Sequence, residues 1–217
     1  MTHVKICCIH SVAEARLAVD LGASAIGLVS AMPSGPGVIP ETRIGEIADT
    51  VPPPIASVLL TSSVSATDII AQQKRCRVNT IQLCDAVDSG VYRELHEALP
   101  GIALIQVIHV RDDASISEAL EVAPRVDALL LDSGNPSLSI KELGGTGRTH
   151  DWTLSASIVT ESSVPVFLAG GLNPENVAKA IRTVGPFGVD VCSGVRTGGR
   201  LDEAQLQAFM HQVASAS

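Results

Sequence analysis

Eight short apolar runs, each followed by a stretch of helical periodicity, recur along the whole chain, and this alternation constrains the fold more than any other feature. The runs predict strands over 4–8, 25–29, 56–60, 80–83, 103–108, 128–131, 164–168 and 188–191. Helices are predicted near 12–21, 41–49, 66–75, 89–98, 115–122, 151–160, 174–183 and 203–213, with Ser11, Asn173 and Asp202 as caps. Strand and helix in strict alternation mean parallel pairing with right-handed crossovers, which a closed barrel and an open doubly wound sheet both satisfy. Glycine separates them. An open dinucleotide fold places a glycine-rich turn after its first strand, whereas here that turn reads Cys7-Cys8-Ile9-His10-Ser11. The glycine pairs come late, at 144–145, 170–171 and 198–199, and the second follows the seventh strand, where barrel enzymes commonly seat a phosphate. The expected fold is a (β/α)8 TIM barrel, a single domain over 1–217 with no linker.

The interior must be filled without aromatics, which make up 2% of residues against 46% hydrophobic overall, so Ala, Val, Leu and Ile carry the core. A net charge of -8 argues against a nucleic-acid partner, because such binding rests on clustered Lys and Arg. Five cysteines, an odd number, read as reduced thiols, and the first strand begins too close to Met1 to leave room for a leader. A cytoplasmic protein with no membrane contact is expected. The six histidines show no metal-ligand spacing, so no metal is expected. Monomer and homodimer both stay open.

The seventh strand ends Ala169-Gly170-Gly171-Leu172-Asn173 and is expected to run directly into a helix, whose bare amides would face an anion. The eighth ends Cys192-Ser193-Gly194, where the Ser193 hydroxyl and Gly194 amide would close the other side of the same phosphate. Each glycine pair alone is equally well a tight turn or helix cap; the two together favour a phosphorylated small-molecule ligand. Cys7 and Asp132 end strands one and six, on the rim where barrel active sites are built. Two-residue alternation aims Asp132 inward with Ala128 and Leu130, and puts Lys5 on the face of Cys7, where its charge would favour the thiolate and meet the substrate. Taken singly, a strand cysteine is more often a small core hydrophobe and a terminal aspartate more often a cap. Cys76 and Cys84 read as structural, and Cys8 as facing the outer helices.

Together these segments resemble phosphoribosylanthranilate isomerase, the barrel enzyme of tryptophan biosynthesis. The likeness runs from Val4-Lys5-Ile6-Cys7 through Leu130-Leu131-Asp132-Ser133, Gly144-Gly145-Thr146-Gly147 with Asp151-Trp152, and Ala169-Gly170-Gly171-Leu172, to Ser193-Gly194-Val195. The resemblance implies a cofactor-free Amadori rearrangement with Asp132 as general acid and Cys7 as base. It also implies substrate or phosphate contacts at Lys5, Gly145, Thr146, Gly147, Gly170, Gly171, Ser193 and Gly194. The chain departs from the family pattern at four places. Pro36 replaces the arginine expected to pair the anthranilate carboxylate, and Cys8 replaces a glycine. Cys84-Asp85 replaces His-Gly, and Arg196 replaces an acidic residue. Asp85 would repel an anionic aromatic; Arg43, Arg148 and Arg196 are candidates for the missing cation. A related barrel enzyme or degenerate paralogue that binds another phosphorylated aminosugar is the alternative.

Overall fold

The computed structural model describes residues 2–145 and 147–216. Eight parallel strands close into a barrel in chain order, with β1 hydrogen-bonded to both β2 and β8. The strands are β1 (His3–Ile6), β2 (Ala25–Val29), β3 (Ala56–Thr61), β4 (Thr80–Leu83), β5 (Ala103–His109), β6 (Ala128–Asp132), β7 (Val166–Leu168) and β8 (Gly188–Val191). The helices between them are α1 (Val12–Asp20), α2 (Glu41–Ala48), α3 (Ala66–Cys76), α4 (Ser89–Ala98), α5 (Ala114–Val122), α6 (Trp152–Glu161), α7 (Val177–Val184) and α8 (Glu203–Ala216). A short hairpin, β9 (Arg196–Thr197) with β10 (Arg200–Leu201), sits between β8 and α8. None of the helices among the described residues is long and apolar enough to cross a membrane.

Strand alternation divides the core in two. Ile6, Ile26, Leu28, Leu59, Ile81, Leu83, Leu129, Leu131 and Val189 point outward and meet the helices in one large cluster. Ala25, Val58, Leu60, Ile105, Val107, Ala128, Leu130 and Phe167 point inward and fill the barrel in a second. Such small and branched side chains pack a barrel interior in layers, which is why the chain needs so few aromatics.

Three local expectations change. β1 stops at Ile6 because Cys8 adopts φ 61, so Cys7 and Cys8 belong to the turn that follows the strand. β7 begins at Val166 and not at 164. Nor does a helix follow β7 directly: Pro174 disfavours helical geometry at Asn173, and α7 starts only at Val177. The Asn173 side chain caps the intervening turn, accepting from the amides of Glu175 and Asn176 at 3.0 Å each. Ser11 and Asp202 do cap α1 and α8, accepting from the amides of Glu14 at 3.2 Å and Gln205 at 3.1 Å.

Candidate active site

The loops at the C-terminal ends of the strands surround a cavity of about 700 Å³, counting the space open to solvent. Cys7 and Asp132 both line it, from the ends of β1 and β6. The Cys7 amide donates to Val191 O at 2.8 Å, tying the residue to β8. Its thiol occupies space that only a glycine leaves free: a Cβ on Gly27 of β2 would lie 2.9 Å from Sγ and 3.2 Å from Lys5 Nζ. Asp132 is buried and receives the Ser133 amide on Oδ1 at 2.7 Å. Burial raises its pKa, and neither the Ser133 hydrogen bond nor the nearby His109 offsets it.

Lys5 takes the face that strand alternation gave it. It shares the inward face of Cys7, but two strand residues are about 6.6 Å apart along the strand, so Lys5 lies one layer deeper, fully buried and outside the cavity wall. Its Nζ donates to Asp190 Oδ1 at 2.9 Å. Burial lowers its pKa, but the Asp190 carboxylate outweighs this and leaves it raised, so Lys5 is a buried cation.

One end of the cavity, by β7 and β8, presents backbone and hydroxyl groups of Gly147, Gly170, Gly171 and Ser193, with Asp190 of β8 and Cys192 just after it also on the wall. Gly171 has φ 61, and a Cβ there would come within 2.7 Å of the Arg148 carbonyl carbon and 2.9 Å of Gly147 O, so the loop after β6 lies directly on the turn after β7. Ser193 Oγ faces Gly147 across this end, 3.9 Å from where a Cβ would sit. Gly194 is absent from the wall; its turn presses on Leu172 O and Asn173 and so braces β8 against β7. Gly145 lines the cavity nearer its middle, against the Pro36 ring. Thr146 lies outside the described residues.

The other end, toward β2, β3 and β4, is apolar, walled by Val29, Met32, Leu60 and Leu143 with Gln82 and Cys84. Among the described wall residues there is no Lys or Arg. Arg43 pairs with Glu46 on the exposed face of α2, Arg148 with Glu142, and Arg196 with Glu14. Asp85, expected to repel an anionic aromatic, pairs with Lys141 and is absent from the described cavity wall.

The sequence also understated the other cysteines. Cys8, expected to face the helices, lines the cavity with Cys84 and Cys192, because its left-handed φ breaks the alternation. Hydrogen bonding to Cys192 and Cys7, with burial, keeps the Cys8 thiol far above the usual range, and burial pushes Cys84 up to about 12. All five cysteines are free. Gln82 of β4 was missed as well; the spacing Thr80, Gln82, Cys84, running one residue past the strand, was the available signal. No group of three or more His, Cys, Asp or Glu among the described residues could hold a metal ion.

Fold and cavity thus define a (β/α)8 barrel with the architecture of an enzyme, its mouth holding a thiol, a buried carboxyl and a glycine-walled recess. Residues 4–212 match the family model of N-(5'-phosphoribosyl)anthranilate (PRA) isomerase. An N-(5'-phosphoribosyl)anthranilate isomerase from Methanocella arvoryzae is 34% identical over 98% of both chains. The phosphoribosyl anthranilate isomerase structure from Thermotoga maritima superposes with a TM-score of 0.85 at 30% identity, covering 99% of this chain and 100% of that one. A phosphoribosyl anthranilate isomerase solved with reduced 1-(o-carboxyphenylamino)-1-deoxyribulose 5-phosphate gives 0.83 at 28% identity, with 99% and 100% covered. The chain belongs to the phosphoribosylanthranilate isomerase family.

Proposed function

We propose that this protein isomerises N-(5'-phosphoribosyl)anthranilate to the carboxyphenylamino-deoxyribulose phosphate by an Amadori rearrangement, a step of tryptophan biosynthesis. The observation that carries the reading is the placement of Cys7 and Asp132 on one cavity, with a backbone-and-hydroxyl recess at one end and an apolar wall at the other. The phosphate lies in the recess on Gly147, Gly170, Gly171 and Ser193, where backbone groups and a hydroxyl serve in place of lysine. The aromatic ring lies against Val29, Met32 and Leu60. The ribosyl ring then spans the barrel mouth between the thiol and the carboxyl.

Asp132 is the general acid. A carboxyl whose pKa is raised by burial holds its proton for delivery, and here the ring oxygen receives it as the C1–O bond breaks and the nitrogen lone pair forms the protonated imine. Cys7, as base, removes the C2 proton, and the C2–H electrons form the enolamine. Proton gain at C1 and loss from the C2 hydroxyl complete the ketone, with no net redox change. Lys5, paired with Asp190 beneath them, supplies a fixed positive charge under the thiol and never touches the ligand.

One observation favours a second reading, a phosphorylated aminosugar without a carboxylate: the described cavity wall contains no cation to pair one. The test of the assigned roles is turnover by Cys7→Ser and Asp132→Asn. Each is expected to lose about two to four orders of magnitude in kcat while binding a reduced product analogue as the parent does. Parental turnover in either variant would refute its role.

A further inference from the structure

We infer that Arg196 is a positioning residue for Cys7: anchored on Glu14, it grips the Cys8 carbonyl and holds the left-handed turn that aims the Cys7 thiol into the cavity. The inference rests on the role just proposed for Cys7.

Cys8 has φ 61, a conformation that L side chains resist and that occurs at one other described non-glycine residue, Arg77. Something must hold it there. The backbone on either side is fixed, since the Cys7 amide donates to Val191 O at 2.8 Å and the Ile9 amide to Gly27 O at 3.0 Å. The Cys8 side chain is wedged against the loop after β2, where a Cβ on Gly37 would lie 2.6 Å from its own Cβ. What remains is the Cys8 carbonyl, and Arg196 Nη2 donates to it.

The arginine is built in for this task. Its side chain is 6% exposed and absent from the cavity wall, so it is not placed to grip a ligand. The guanidinium meets Glu14 through both carboxylate oxygens, at 3.0 and 3.3 Å, and donates to Gly199 O at 3.0 Å. Glu14 in turn accepts the amides of His10 and Leu201, each at 3.0 Å. A carboxylate with this many donors keeps its charge; burial pulls its pKa up, but the Arg196 and amide hydrogen bonds leave it lowered. The pair therefore locks the first turn of α1 to the β9–β10 hairpin, with the Cys8 carbonyl held between them. Without the clamp, the turn relaxes toward negative φ, the peptide after Cys8 rotates, and the thiol one residue earlier moves.

Glycine adopts positive φ without a side-chain clash, so a glycine at position 8 needs no clamp, and this supplies the test. The parent, Arg196→Leu, Cys8→Gly and the double variant are compared in a double-mutant cycle. With Cys8 present, Arg196→Leu is expected to lower kcat about tenfold with KM within about twofold; with Gly at position 8, the same change is expected to cost less than about twofold. Equal losses in both backgrounds, or none in either, would overturn the inference. Arg196→Lys and Arg196→Gln run the same cycle should Arg196→Leu fail to fold, with reduced product analogue binding as the check on the site. A second readout does not need turnover. The rate at which iodoacetamide labels Cys7, located by mass spectrometry, should rise about fivefold on Arg196→Leu with Cys8 and stay level with Gly at position 8. An inactive parent would refute the isomerase reading, and these labelling rates would still decide for or against the clamp.

Discussion

Asp132 ends a strand whose inward residues before it, Leu130 and Ala128, are apolar, so burial of the carboxyl outweighs the Ser133 amide and the nearby His109. Its raised pKa has a stability counterpart. The folded protein binds this proton more tightly than the unfolded chain, so the contribution is complete below the unfolded pKa and is lost as pH rises through the folded one. Asp132→Asn fixes the neutral form. It should melt above the parent at neutral pH and converge with it in acid, as followed by thermal unfolding across pH; a variant less stable than the parent at neutral pH would contradict this. The inward aim of Asp132 was legible because strand alternation is strict up to the strand end, and Cys7 keeps it one residue past β1 because its amide still bonds Val191 O. Cys8 was misread and the depth of Lys5 was not legible, for different reasons. A left-handed φ leaves no mark in a non-glycine sequence, and alternation reports which face a side chain is on but not how deep it lies.

At the scale of elements, the periodicities located all eight strands and eight helices to within a few residues, because each strand has an outward apolar face that must meet a helix. The turns were harder. Asn173-Pro174 reads as the start of a helix, yet proline's restriction on the preceding residue delays α7 to Val177, so the recess beside Gly170 is lined by a turn and not by the first turn of that helix. The packing of the loop after β6 onto Gly171 depends on contacts between segments more than twenty residues apart and could not be seen in the chain. Gly171→Ala, which puts a Cβ 2.7 Å from the Arg148 carbonyl carbon, should push that loop off and raise KM about tenfold or more with a smaller change in kcat. Gly185→Ala is the control: it has nearly the same φ, 63, with nothing within 4 Å of the added carbon. It should lower stability and leave KM alone. An unchanged KM in Gly171→Ala would remove that turn from the phosphate site.

For the whole molecule, closure is the decisive event, and Lys5 and Asp190 are directly paired in register where the first strand meets the last. Their side chains are 1% and 10% exposed. Removing one partner strands a buried charge, so Asp190→Asn should cost about 3–5 kcal/mol in denaturant unfolding, whereas a cost near zero would mean the seam does not depend on the pair. The closed barrel was legible from the alternation and the late glycines. That the described wall of the apolar end holds no cation was legible only as a missing arginine at Pro36, because where other cations fall depends on how the loops fold. The central claim concerns what the assembled mouth does, and one measurement tests it most directly: steady-state turnover of freshly prepared N-(5'-phosphoribosyl)anthranilate by the parent protein. The account predicts conversion to the aminoketone without any added metal or cofactor, carried by Cys7 and Asp132. No conversion by a folded protein that still binds a phosphorylated aminosugar lacking the carboxylate would contradict it and point to the second substrate class.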